Sequence, residues 1–177
     1  MELVLPSVEH KTSYIEAVKE FQADQDFPQM IERVGDTFST LEAETFDAYV
    51  EKILGQSKGD NLLEGYVPQT TYWLVDGEEF IGTVRIRHRL DEFLQKVGGH
   101  IGYDVRPSKR GKGYGSKILE LALPKAKEIG ISHILVTCDA TNVASRKIIE
   151  KNGGVLENQV PNPETGVDKL RFWIDSS

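Results

Sequence analysis

The sequence predicts an α/β fold, a mixed sheet of six to seven strands carrying about four helices. Three observations lead there. Segments with apolar residues at alternate positions take turns along the chain with segments whose apolar residues recur at helical spacing, the order that lays helices on a sheet. A glycine-rich junction, Gly111 to Gly115, joins a strand-like segment to a helix-like one. The 177 residues match a single domain spanning 1–177, at roughly 100 to 200 residues per domain, and no internal repeat divides them.

The elements follow in order. Leu3 to Leu5 reads as a short strand. After Pro6 and Ser7, the segment Val8 to Ala23 sets Tyr14, Ile15, Val18 and Phe21 on one helical face. From Asp24 to Asp36 the pattern dissolves into polar residues, and Glu44 to Leu54 resumes it with Phe46, Tyr49, Val50, Ile53 and Leu54 before Gly55 stops the helix. Gly55 to Pro68 reads as a surface loop. Thr71 to Val75 and Phe80 to Arg89 form two strands about an Asp76-Gly77 hairpin turn, with Arg85, Arg87 and Arg89 on an expected solvated face. His100 to Val105 is a strand. Gly115 to Ile129 places Ile118, Leu119, Ala122, Ala126 and Ile129 together, with Pro124 expected to interrupt the helix and kink it near Glu120. Ile131 to Thr137 is a strand, Asn142 to Asn152 a helix capped by Asn142, and Val155 to Val160 and Lys169 to Ile174 the last two strands.

Composition narrows the partners. Twenty-eight acidic against 21 basic residues give a net charge of −7, which disfavours nucleic acid and anionic lipid as partners. A single cysteine permits no internal disulfide, and no His/Cys/Asp/Glu grouping has metal-ligand spacing, so no metal is expected. With neither a leader-like N-terminus nor about 18 consecutive apolar residues, the expected setting is the cytoplasm, away from membranes.

The chemistry concentrates in the run Tyr103-Asp104-Val105-Arg106-Pro107-Ser108-Lys109-Arg110-Gly111-Lys112-Gly113-Tyr114-Gly115-Ser116. Alternate glycines between a strand and a helix let backbone amides approach a ligand, and the first helical turn offers free N–H groups to an anion. Lys109, Arg110 and Lys112 add positive charge. The spacing excludes a P-loop, because Ser116 stands five beyond Gly111, and it excludes a dinucleotide fingerprint, because Ser116 also stands where the third glycine belongs.

The run Arg110-Gly111-Lys112-Gly113-Tyr114-Gly115, led in by Val105-Arg106-Pro107, resembles the R/Q-x-x-G-x-G/A signature of the GNAT (GCN5-related N-acetyltransferase) superfamily. Asn142-Val143-Ala144-Ser145 with Lys151-Asn152-Gly153-Gly154 resembles its downstream segment. The likeness spans about Trp73 to Trp173. It implies a mostly antiparallel sheet splayed in the middle, with acetyl-CoA as acyl donor in the cleft. It further implies pantetheine bonded by Tyr103, Asp104 and Val105, and pyrophosphate cradled by amides from Gly111, Lys112, Gly113, Tyr114, Gly115 and Ser116 with charge from Arg110 and Lys112. Asn142 and Ser145 would contact the donor. The implied activity is N-acetylation of a primary amine on a small molecule or peptide by direct attack. Non-catalytic acyl-CoA binding and transfer of another acyl group are the alternatives.

Where the family often carries a thiolate-protonating tyrosine, this chain has Ile149; Tyr103, Cys138 or water would substitute. His100, beside the implied acetyl site, is the candidate general base, against a structural role or a substrate contact. The charge balance points to a cationic acceptor, and a homodimer through a terminal strand would suit the family.

Overall fold

The computed structural model describes residues 1–24, 45–60, 62 and 64–175. Seven strands build one sheet: β1 (Glu2–Val4), β2 (Gln69–Asp76), β3 (Glu79–Arg87), β4 (Ile101–Val105), β5 (His133–Asp139), β6 (Val155–Val160) and β7 (Lys169–Asp175), in the order β1-β2-β3-β4-β5-β7-β6. Every neighbouring pair is antiparallel except β4 and β5. Parallel neighbours need a crossover, and the glycine-rich junction followed by a helix supplies it.

Among the described residues four α-helices cover the sheet: α1 (Lys11–Ala23), α2 (Phe46–Gly55), α3 (Tyr114–Glu128) and α4 (Val143–Lys151). On one face, Ile118, Leu119, Ala122 and Ala126 of α3 and Ile149 of α4 pack on Val84, Ile86, Ile101, Ile134, Val136 and Phe172. On the other, α1 and α2 lay Tyr14, Val18, Phe21, Phe46 and Tyr49 over Trp73 and Phe80, with the Tyr14 ring stacked 4.5 Å from that of Trp73. Burying each such side chain contributes about 1.5–3 kcal/mol.

Several boundaries differ from the sequence reading. The first helix opens as a 3₁₀ turn, Val8–His10. Thr45 caps α2, its hydroxyl accepting from the Ala48 amide at 3.3 Å, whereas the expected start at Glu44 and all of Asp24–Asp36 but Asp24 lie outside the described residues. Pro124 does not interrupt α3: it sits on the exposed side, where water can take the hydrogen bond that its missing N–H leaves at Glu120. Ile129 falls beyond the last turn and is 37% exposed. A five-residue π-helical segment, Leu94–Gly98, went unread; Asp91 caps it and its last amide bond runs from Gly99 to the Leu94 carbonyl at 2.6 Å. The C-terminal strand β7 lies between β5 and β6, and the sheet's outer edges are the N-terminal strand β1 and β6.

Candidate active site

The sheet opens where β4 meets β5. Arg87 N–H donates to the His100 carbonyl at 2.8 Å, and Arg106 N–H donates to Ile81 at 2.9 Å. With the register Gly102↔Arg85 and Asp104↔Thr83, the even-numbered residues of β4 therefore turn their backbone groups to β3. The odd-numbered residues face β5, and of these only Ile101 has a partner there, Val136. Beyond that rung the strands part, leaving the amides of Tyr103 and Val105 facing a cleft.

The closed end of the parting is built by two residues. Gly99, at φ +67°, brings its backbone so near the Leu135 carbonyl that a Cβ would stand 2.7 Å from it. His100 donates its amide to Leu135 at 2.7 Å and accepts the Leu135 amide on Nδ1 at 2.9 Å. Burial, with the Arg87 and His133 charges, lowers the imidazole to about 4, so it is neutral with its Nδ1 lone pair already engaged.

The open end leads to the anion cradle. After a 3₁₀ turn, Pro107–Lys109, both Gly111 and Gly113 take positive φ, +73° and +85°, with open space where a side chain would begin. Gly113 is the N-cap of α3. Lys117 makes the first α3 amide bond, to the Gly113 carbonyl at 3.2 Å, and the amides of Gly111 to Ser116 find no acceptor among the described residues. These residues fit a pyrophosphate through fixed N–H dipoles. Gly115 serves packing as well: a Cβ there would meet Ile148 of α4 at 2.6 Å. The Ser116 hydroxyl lies 3.2 Å from the Asn152 amide nitrogen, which ties α3 to the end of α4.

Each of the three expected cations has a protein partner. Lys109 pairs with Glu79 at 2.6 Å, and Arg110 pairs with Asp24 at 2.6 Å while lying over the Phe21 ring. Lys112 is exposed and donates to the Ser108 carbonyl at 3.1 Å. Across the cleft, Tyr103 from β4 meets Ser145 from α4, hydroxyl to hydroxyl, at 2.8 Å. Burial pushes the Tyr103 phenol up to about 12 and the nearby Cys138 thiol up to about 11, so Cys138 is a buried thiol. Asn142 uses its side-chain oxygen to cap α4, accepting from Ser145 N–H at 2.9 Å. Asp104 turns away from the cleft: its backbone faces β3 and its carboxylate pairs with Arg85 on the opposite face.

A family model described as the acetyltransferase (GNAT) domain matches residues 6–155. The chain belongs to the GNAT family of N-acetyltransferases. No curated protein sequence matches this GNAT chain. Among solved structures, the microcin C7 self-immunity acetyltransferase, in complex with acetyl-CoA and AMP, is similar at 15% identity, with 98% of this chain and 91% of that one covered and a TM-score of 0.65. The Salmonella typhimurium acetyltransferase that modifies the N-terminal serine of ribosomal protein L7/L12 shares 17% identity over 99% and 94%, with a TM-score of 0.61. A Vibrio cholerae spermidine N-acetyltransferase shares 18% over 76% and 77%, with a TM-score of 0.54. At these identities the likeness is one of fold.

Several arginines beside the GNAT cleft have partners that the sequence did not show. The Arg85, Arg87 and Arg89 stripe is not a uniform solvated face: Arg85 holds Asp104, and Arg87 donates to the Gly98 and Gly99 carbonyls at 3.1 and 2.9 Å. Arg106 is 7% exposed and bound by α1 through Glu20 at 2.7 Å, Ser13 at 3.1 Å and Glu16 at 3.4 Å. The one sequence signal for this was the row Glu16, Glu20, Asp24 at four-residue spacing. Ile149, where a tyrosine acid was sought, is fully buried in the α3 face of the core. Among the described residues no helix is long and apolar enough to cross a membrane, and no cluster of three metal-binding side chains occurs.

Proposed function

We propose that this GNAT chain transfers an acetyl group from acetyl-CoA to a primary amine by direct attack within the β4/β5 cleft. One observation carries the reading: the strands part after Ile101 and Val136, and the parting runs into a helix N-terminus whose amides from Gly111 to Ser116 have no acceptor among the described residues. Acetyl-CoA supplies the activated thioester. The Tyr103 and Val105 amides bond the pantetheine arm, and either could stabilise an oxyanion as a preorganised donor. The Gly111–Ser116 amides and the α3 dipole hold the pyrophosphate. The Tyr103 and Ser145 hydroxyls lie together beside the leaving sulfur; in this reading Tyr103 donates its proton to the thiolate, and the proton lost by the attacking amine restores the phenol.

His100 takes a positioning part in this reading in place of the expected base, because Nδ1 accepts the Leu135 amide and ties β4 to β5 just before the Ile101 rung where the strands part. The acceptor is an amine, as in the ribosomal-protein and spermidine enzymes of the same fold. A net charge of −7 favours a cationic one, with an on-rate that falls as salt rises. The single buried thiol, Cys138, suits a reducing cytoplasm.

The test is release of free CoA from acetyl-CoA across a panel of amines, alongside calorimetric titration of acetyl-CoA and succinyl-CoA. Calorimetry without binding would overturn the reading. The buried Ile149, standing where the family often has a tyrosine acid, favours one competitor, a binding module without turnover. Tight acetyl-CoA binding with no CoA release from any amine would establish it.

A further inference from the structure

Ser13, Glu16 and Glu20 of α1, together with Asp24 at its C-terminal cap, converge on the segment that enters the anion cradle. Glu20 spans it with both carboxylate oxygens: Oε1 accepts from Arg106 Nε at 2.7 Å, and Oε2 accepts the Ser108 amide at 3.0 Å. Ser13 adds a contact to Arg106 Nη1 at 3.1 Å, and one turn past Glu20, Asp24 holds Arg110 at 2.6 Å. Arg106 in turn donates its own amide to Ile81, which ends the β3/β4 ladder, and Arg110 Nε reaches back to the Val105 carbonyl at 3.3 Å. The loop from Val105 to Arg110 is thus clamped between the sheet and α1 before it reaches Gly111.

This clamp has a polarity that a neutral isostere cannot copy. Both groups facing the two Glu20 oxygens are N–H donors, so an amide in its place would turn an NH₂ toward a donor. Burial alone would raise the Glu20 carboxyl, yet the hydrogen bonds from Ser108 and Arg106 hold it below the usual carboxylate range. Because an anion held by backbone amides depends on where those amides point, the angle at which the loop leaves Ser108 sets the strength of the cradle.

We propose that Glu20 is a positioning residue for donor binding: through Arg106 and the Ser108 amide it fixes the loop whose free amides take the pyrophosphate, without touching the donor itself. The proposal rests on the reading of Gly111–Ser116 as the pyrophosphate site. The experiment compares wild type with Glu20→Gln by calorimetric titration of acetyl-CoA and of acetyl-pantetheine, which lacks the pyrophosphate, with thermal midpoints recorded in parallel. The expected result is an acetyl-CoA Kd raised about tenfold in Glu20→Gln, as for loss of one charged hydrogen bond, with acetyl-pantetheine bound equally by both proteins. An acetyl-CoA Kd within twofold of wild type overturns the proposal, as does an equal loss of affinity for both ligands, which marks a merely structural residue. If Glu20→Gln does not fold, Glu20→Asp, which keeps the charge but reaches only one of the two donors, carries the same test with about threefold expected. Wild type that binds acetyl-pantetheine as tightly as acetyl-CoA defeats the site reading itself, a result distinct from any difference between the variants.

Discussion

Replacing Gly113 separates the backbone geometry of the cradle from its charge. At φ +85°, with open space at the Cβ position, alanine meets no neighbour and suffers only the left-handed backbone, about 1–2 kcal/mol. For a chain of this length each kcal/mol moves the thermal midpoint by about 2–4 °C, so Gly113→Ala should melt about 2–8 °C lower. Gly113→Asp carries no more strain than alanine, since aspartate tolerates the left-handed region better, and it adds a negative charge at the N-cap, beside the amides of the first α3 turn. A carboxylate on the order of 5 Å from a bound anion repels it by about 1 kcal/mol in a water-like medium and about 3 kcal/mol at an effective dielectric of 20. Acetyl-CoA affinity in the Asp variant should therefore fall about 5- to 150-fold below that of the Ala variant, and salt should narrow the gap. Calorimetry at two ionic strengths measures both. Equal affinities in the two variants would refute the placing of the pyrophosphate at this helix start.

Other consequences are as direct. His100 has a folded value near 4 against an ordinary 6.5, so the unfolded chain takes up the proton first as pH falls. Its contribution to stability is complete above about pH 6.5 and drains away toward pH 4; thermal midpoints of His100→Gln should fall less steeply over that window than wild type. The remaining slope belongs partly to His88, which burial also lowers. Removing the hydroxyl in Tyr103→Phe should lower kcat about tenfold or more with the KM for acetyl-CoA nearly unchanged, and a wild-type kcat would dismiss Tyr103 as donor to the thiolate. Installing the family's tyrosine in Ile149→Tyr should cost about 1–3 kcal/mol through overpacking, seen as a lower denaturant midpoint, with no gain in kcat.

Where local rules govern, the sequence was readable. Helical spacing marked the buried face of α3, Asn142 announced the α4 cap, and the alternate glycines marked the turn that opens α3. What escaped depends on residues far apart in the chain. Arg106 meets Glu20 across a separation of 86 residues, and the charges of Lys109 and Arg110, which looked destined for a ligand, are absorbed by Glu79 and Asp24. The π-helical segment escaped for the same reason: its carbonyls are taken by Arg87, Thr137 and Arg171 from three different strands. Alternation told which side of β3 the arginines occupy but not what lies over that side.

The parting of β4 from β5 also bears on solubility. Unsatisfied strand edges invite pairing with other chains and seed aggregation, and sheets ordinarily blunt or cover them. Here the amides of Tyr103 and Val105 have no acceptor among the described residues, yet they face inward toward β5, and the strands converge to contact at Ile101. A foreign strand would have to enter a wedge that closes within a few residues, whereas the outer edges belong to the three-residue β1 and to β6. The fold keeps hydrogen-bonding capacity for a slender ligand while withholding it from another polypeptide.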